Sequence, residues 1–290
     1  MPESPRLPRR RWWWLALPAL ATLALAGGCL SLPSFAPTPI SEALHAGGAT
    51  AQTVATPTGE IFLVTTPRRS GPAVVFIHGS PGTWEAFRGY LEDTDLAARA
   101  QLIAVDRPGF GHSDRGRAVP SLAVQAGRIE AAVKQVHPGP FVLVGHSLGG
   151  PVCARFAVDF PGETAGLVLV APSLDPALER RRWFNVAASL RPVQWFLSVD
   201  WITSNREIWP HREELTELGL KLAQVHGPVV VIQGLKDNLV PSANADYAER
   251  AFPQSQLDVR RYPEDGHFVL WQRPELVKQA VVEVLEAASR

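Results

Sequence analysis

The chain has 290 residues, 46% hydrophobic and 19% charged, and its 28 lysines and arginines balance its 28 aspartates and glutamates. A chain of this length and composition buries a large core, as one domain or as a domain with an insertion. The charge balance gives no sign of a nucleic-acid partner, and the sequence contains no internal repeat.

Arg6, Arg9, Arg10 and Arg11 precede the apolar run Trp12–Ala26. This is the pattern of an export signal. The run is short for a membrane-spanning helix, which needs about 20 residues. Cys29 directly follows Ala26-Gly27-Gly28. That junction resembles the lipobox of bacterial lipoproteins, with Ala26 where leucine is usual. The resemblance implies removal of residues 1–28, lipidation of Cys29 and an exported protein anchored in a bacterial membrane. A plain cleaved signal peptide and an uncleaved anchor are the alternatives. Leu30, after the cysteine, favours the outer membrane where the host has one. With Cys29 lipidated, Cys153 has no partner, so no intrachain disulfide is expected. Residues 29–50, with the stretch SLPSFAPTP, read as the lipidated cysteine and a tether. The main domain is expected over 51–290.

Within that domain the apolar pattern alternates between strands and helices. Strands are expected at Glu60–Thr65, Ala73–Ile77, Leu102–Val105, Phe141–Val144, Gly166–Val170, Val229–Gln233 and Leu257–Tyr262. Helices are expected at Leu122–Val136, Leu148–Asp159 and Phe268–Ala287. Continuous Val/Ile runs mark strands buried on both faces, as in a parallel sheet, and the alternation marks βαβ units of an α/β fold. The interval 172–227 has no strand and carries Trp183, Trp195, Trp201 and Trp209. An insertion this long between core strands is usually functional.

Gly145-His146-Ser147-Leu148-Gly149 fits G-x-S-x-G between a strand and a helix, the context that gives the pattern meaning. A turn this sharp strains the serine backbone, leaves no room for side chains at the glycines and lifts the hydroxyl clear. An inert tight turn is the plainer alternative. A serine hydroxyl needs a base. Of the eight histidines, His267 follows the last strand at the same sheet edge as Ser147, where such folds bind ligands. His146 adjoins the serine but points away in so tight a turn. The base in turn needs a carboxylate to orient it. Asp237, after the strand VVVIQ, is favoured over Asp175 and Asp265.

The pieces HGSPG (78–82), DRPGFGHSD (106–114), GHSLGG (145–150), GLKDNLVP (234–241) and DGH (265–267) occur in an order that resembles the α/β-hydrolase superfamily over 51–290. The resemblance implies a mostly parallel central sheet flanked by helices, with a helical lid at about 172–227. It implies a serine hydrolase with Ser147 as nucleophile, Asp237 as acid and His267 as base. The oxyanion hole would be formed by the backbone amides of Ser80 and Leu148. Relatives that use an aspartate nucleophile, haloalkane dehalogenases and epoxide hydrolases, are disfavoured by Ser147. No cluster has metal-ligand spacing, and no metal or organic cofactor is expected.

The expected substrate is a small ester with an apolar acyl group, held against Trp84, Trp183, Trp195 and Trp201. The alternative reading of these aromatics is lid packing. Amide, lactone, thioester and carbon–carbon bond cleavage remain open within the same fold. A non-catalytic, lipid-anchored binding protein is the alternative from a different class.

Overall fold

In chain order the strands are β1 Thr50–Thr56, β2 Gly59–Thr65, β3 Ala73–Ile77, β4 Leu102–Val105, β5 Phe141–His146, β6 Thr164–Val170, β7 Gly227–Gly234 and β8 Ser255–Tyr262. The computed structural model describes Phe35 and residues 39–289. The expected export signal, Cys29 and its junction lie outside the described residues. The strands form one sheet in the order β1-β2-β4-β3-β5-β6-β7-β8. β2 runs antiparallel to β1 and β4, and every other pair is parallel.

The physical cause of this arrangement is visible in the central strands. AVVFI and LIAV are buried at every position, which only a sheet covered on both faces allows. Successive residues feed opposite layers. Val75, Ile77, Leu143 and Val231 pack on one face, and Val74, Phe76, Val144 and Ile232 on the other. The first face is covered by helices Leu122–Val133 and Gly149–Asp159, through Ile129 and Phe156. The second is covered by helix Pro274–Ala288, through Val281 and Val284. Cys153 is fully buried in the first layer, and desolvation pushes its thiol pKa far up.

Two local expectations need correction. Residues 42–50 are not tether. Glu42–Ala46 is a short helix capped by the Ser41 side chain, and its Leu44, with Ala49, is buried in the second layer. The chain then enters β1. The expected closing helix from Phe268 is two helices, Val269–Gln272 and Pro274–Ala288. Pro274 has no N–H to continue the first and starts the second, as proline favours. Between β6 and β7 the expected lid consists of helices Trp183–Ser189, Arg191–Gln194, Val199–Ile208 and His211–Gly219.

Because β3, β5, β6, β7 and β8 are parallel, their C-terminal ends share one edge. The 78–82 loop, the serine turn, the lid and the segments bearing Asp237 and His267 all emerge there.

Candidate active site

Ser147 has φ 54°, a left-handed conformation that costs a non-glycine residue on the order of 1–3 kcal/mol. Its neighbours enforce it. The Ser147 N–H donates to the Val170 carbonyl at 2.9 Å, and its own carbonyl accepts from Gly150 N–H at 3.0 Å. A Cβ at Gly145 would strike the Gly149 carbonyl and Cys153, and one at Gly149 would strike the Ile77 and His78 carbonyls. The helix N-terminus therefore lies directly against the end of β3. Gly149→Ala is expected to cost about 1–3 kcal/mol as overpacking. In a chain of this size that lowers Tm by roughly 2–4 °C per kcal/mol. A melting curve unchanged from wild type would show that the turn tolerates the added carbon.

His267 Nδ1 donates to Asp237 Oδ2 at 2.7 Å, and both groups are buried. Asp237 Oδ1 accepts from the N–H groups of Leu239 and Val240, each at 2.8 Å. The carboxylate is thus fixed from both ends. With Nδ1 carrying the proton, Nε2 of His267 is left as an acceptor. Asp175 does not reach this histidine. Its carboxylate accepts from Ala177 N–H in its own turn. Asp265 pairs instead with Arg273 at 3.1 Å. Ser147 alone in GHSLGG is partly exposed. Its hydroxyl makes no hydrogen bond to His267 in this conformation; contacts of this kind commonly close only around substrate.

His146 has a part that the sequence reading missed. Its ring lies 4.8 Å from that of His267, centroid to centroid, and its Nε2 donates to the His267 carbonyl at 3.0 Å. Burial, followed by the neighbouring His267, lowers its pKa to about 3, so it is neutral at working pH. It braces the backbone of the histidine beside it. The same segment is tied elsewhere: Trp271 Nε1 donates to the Ala86 carbonyl at 2.9 Å, and the Tyr90 hydroxyl donates to the Leu270 carbonyl at 2.6 Å.

The N–H groups of Ser80 and Leu148 donate to no group among the described residues. His78 shapes the loop that carries Ser80. Its Nδ1 donates to the Gly79 carbonyl at 2.7 Å, and its Nε2 accepts from Arg107 N–H at 2.9 Å. Burial, with the Arg107 charge beside it, holds its pKa well below the ordinary value.

A buried ion pair links this loop to the lid, and no local sequence signal announced it. Arg107 reaches Glu207 through both terminal nitrogens, at 2.6 and 3.1 Å, and also the Gly79 carbonyl at 3.0 Å. Gln125 Nε2 donates to Glu207 at 2.9 Å. The Ser80 hydroxyl donates to Glu207 at 2.8 Å and lies within hydrogen-bond distance of the Ser204 hydroxyl, at 3.0 Å. Glu207 and Ser204 lie on the lid helix Val199–Ile208, whose buried face is polar.

The four tryptophans expected around the substrate are not brought together. Trp84 is 1% exposed and packs in the second core layer with Phe76 and Phe87, so it is corrected to a core residue. Trp183 and Trp195 are 81% and 82% exposed. Their rings stand on the lid surface, where Trp183 borders an open pocket with Phe184, Leu239 and Pro241 and Trp195 does not. Trp201, on helix Val199–Ile208, is half-buried.

Comparison with known proteins agrees with this architecture. Residues 72–196 match the family model described as alpha/beta hydrolase fold. Among curated relatives, the chain is 26% identical to a 2-hydroxy-6-oxononadienedioate/2-hydroxy-6-oxononatrienedioate hydrolase of Cupriavidus pinatubonensis, covering 73% of this chain and 86% of that one. It is 29% identical to the pimeloyl-[acyl-carrier protein] methyl ester esterase of Nitrosomonas europaea, covering 71% and 92%. Among solved structures, the haloalkane dehalogenase DbeA of Bradyrhizobium elkani superposes with a TM-score of 0.68 at 18% identity, over 83% of this chain and 99% of that one. At that identity the likeness concerns the fold alone.

Proposed function

We propose that this chain is a serine hydrolase of the alpha/beta hydrolase superfamily that cleaves esters with an apolar acyl group. The observation that carries the reading is the coupling of three features at one sheet edge. These are a strained, partly exposed Ser147, a buried His267 whose Nδ1 is held by Asp237, and two uncommitted amides at Ser80 and Leu148.

In the proposed reaction, His267 Nε2 takes the proton from the Ser147 hydroxyl as its oxygen attacks the acyl carbonyl. The tetrahedral oxyanion lies against the amides of Ser80 and Leu148. Losing one such donor typically costs about 100-fold or more in turnover. The imidazolium, stabilised by Asp237, protonates the departing alkoxide. Water then enters, gives a proton to His267 and attacks the acyl carbon; His267 returns that proton to Ser147 Oγ as the Ser147–acyl bond breaks, which releases the acid and restores the hydroxyl. No metal or organic cofactor takes part in this scheme.

The esterase among the relatives supports an ester substrate. The hydrolase from Cupriavidus keeps a carbon–carbon bond as the second reading for the same residues. Export and lipidation at Cys29 are part of the proposal and rest on the sequence of the first thirty positions. Treatment with a fluorophosphonate probe tests the nucleophile: wild type is expected to label and Ser147→Ala is not. Equal labelling of the two would remove Ser147 from the mechanism. A panel of p-nitrophenyl esters of increasing chain length tests the acyl preference. Activity confined to acetate would refute an apolar acyl site.

A further inference from the structure

The lid carries a surface that the proposed reaction does not use. Between Glu179 and Asp200 the chain has Arg180, Arg181, Arg182 and Arg191 and no acidic residue. Along the same stretch Trp183, Trp195 and Phe196 are 81%, 82% and 83% exposed, with Phe184, Val186 and Leu190 also exposed. Large aromatic rings left in water have no energetic reason to be there in an isolated molecule. Arg181 and Arg182 are partly engaged, with the Trp209 carbonyl and with the carbonyls of Asn238 and Leu239. Glu213 faces Arg181 at 3.7 Å. Arg180 and Arg191 have no ion pair or hydrogen bond among the described residues. Aromatic rings beside unpaired cations, with no anions interspersed, form the pattern of a surface that lies in the headgroup region of an anionic bilayer.

A second observation concerns where the chain leaves the fold. The Phe35 N–H donates to Asp200 Oδ2 at 3.3 Å, and Asp200 is held by Arg115 through both guanidinium contacts, at 3.0 and 2.7 Å. Asp200 lies just past Phe196, at the start of helix Val199–Ile208. Five residues separate Phe35 from Cys29, so the two are at most roughly 20 Å apart when the chain is extended. A lipid on Cys29 would therefore hold this end of the lid within that distance of the bilayer. This second point rests on the proposed lipidation; the surface itself does not.

We infer that the lid segment 180–199 is a membrane-docking surface that seats Trp183, Trp195 and Phe196 in the interface of an anionic phospholipid bilayer, with Arg180 and Arg191 against its headgroups. Among the described residues no helix is long and apolar enough to cross a membrane, so the contact is interfacial.

The test uses the full-length chain reconstituted into vesicles of phosphatidylcholine with a minority of phosphatidylglycerol, with and without brominated acyl chains that quench indole emission. Wild type is compared with Trp183→Phe/Trp195→Phe, which keeps the surface apolar but removes its emission. Tryptophans elsewhere contribute equally to both. The expected result is that the emission lost to bromine falls clearly in the double variant. Arg180→Gln/Arg191→Gln, or vesicles of phosphatidylcholine alone, is expected to weaken the wild-type quenching, by about fivefold in occupancy per arginine where binding is not saturated. If the emission lost to bromine is the same in wild type and in the Trp variant, both rings face water and the inference fails. A concentration-dependent blue shift without quenching would mean that a second copy covers the surface, and would also overturn it. Mass spectrometry of the N-terminal peptide reads the lipid on Cys29 separately.

Discussion

Asp237→Asn is expected to lower kcat by about 10^4-fold while leaving the fold and KM nearly intact. The direction follows from how the carboxylate is held. Two backbone N–H groups, from Leu239 and Val240, converge on Oδ1. In the variant they select the amide oxygen for that position. The amide NH2 is then turned toward His267 Nδ1, where Asp237 Oδ2 now accepts at 2.7 Å. A donor facing Nδ1 drives the imidazole proton to Nε2, the atom that must accept from Ser147. A tautomer error of this kind in a Ser-His-Asp arrangement costs about four orders of magnitude. Steady-state kinetics and a melting curve together check the prediction. Turnover within about tenfold of wild type would mean that Asp237 does not set the tautomer. Asp237→Ala is the useful contrast, because it also removes the acceptor of two backbone N–H groups and should lower Tm as well.

Glu207→Ala is expected to be the most destabilising single change in the lid. Arg107 and Glu207 are both fully buried, and deleting one member of such a pair leaves an uncompensated charge, at a cost of about 3–5 kcal/mol. For a domain of this size that is a fall in Tm on the order of 10 °C. Replacing both charges tests the origin of the loss. An Arg107→Met/Glu207→Leu variant should recover much of the stability, since apolar substitution of a buried pair is often neutral or better. It should not recover full turnover, because the Ser80 hydroxyl still lacks the acceptor that steadies its loop. Calorimetry beside kcat separates the two effects. A Glu207→Ala protein that melts with wild type would show that the pair carries no net stability.

The parts of the fold read correctly from sequence are those whose side chains are buried on both sides. AVVFI, LIAV and GLVLV need no partner information to be read as strands. β1 was missed because TAQTVAT buries only Val54, so it has neither an apolar run nor a clear alternation. The helix at Glu42–Ala46 is too short for periodicity, and its place is fixed by Leu44 meeting a layer built from distant strands.

The same division holds at the site. The serine turn is local and announces itself in five residues. The approach of Asp237 to His267 followed from their positions after parallel strands. The Arg107–Glu207 pair joins residues a hundred positions apart and leaves no trace in either neighbourhood. Tryptophan content marked the lid as apolar, but hydrophobicity has no direction. It could not distinguish Trp84, folded into the core, from Trp195, turned to the outside.

The bonds from Trp271 to Ala86 and from Tyr90 to Leu270 carry a mechanical consequence. They join the stretch after His267 to the stretch after the 78–82 loop, although the bonded residues are 185 and 180 positions apart in the chain. Either stretch must break these bonds to swing out alone. Local opening of either stretch is therefore expected to involve both. Heat or denaturant is therefore expected to displace His267 and the 78–82 loop together, as one rigid tool leaving its socket.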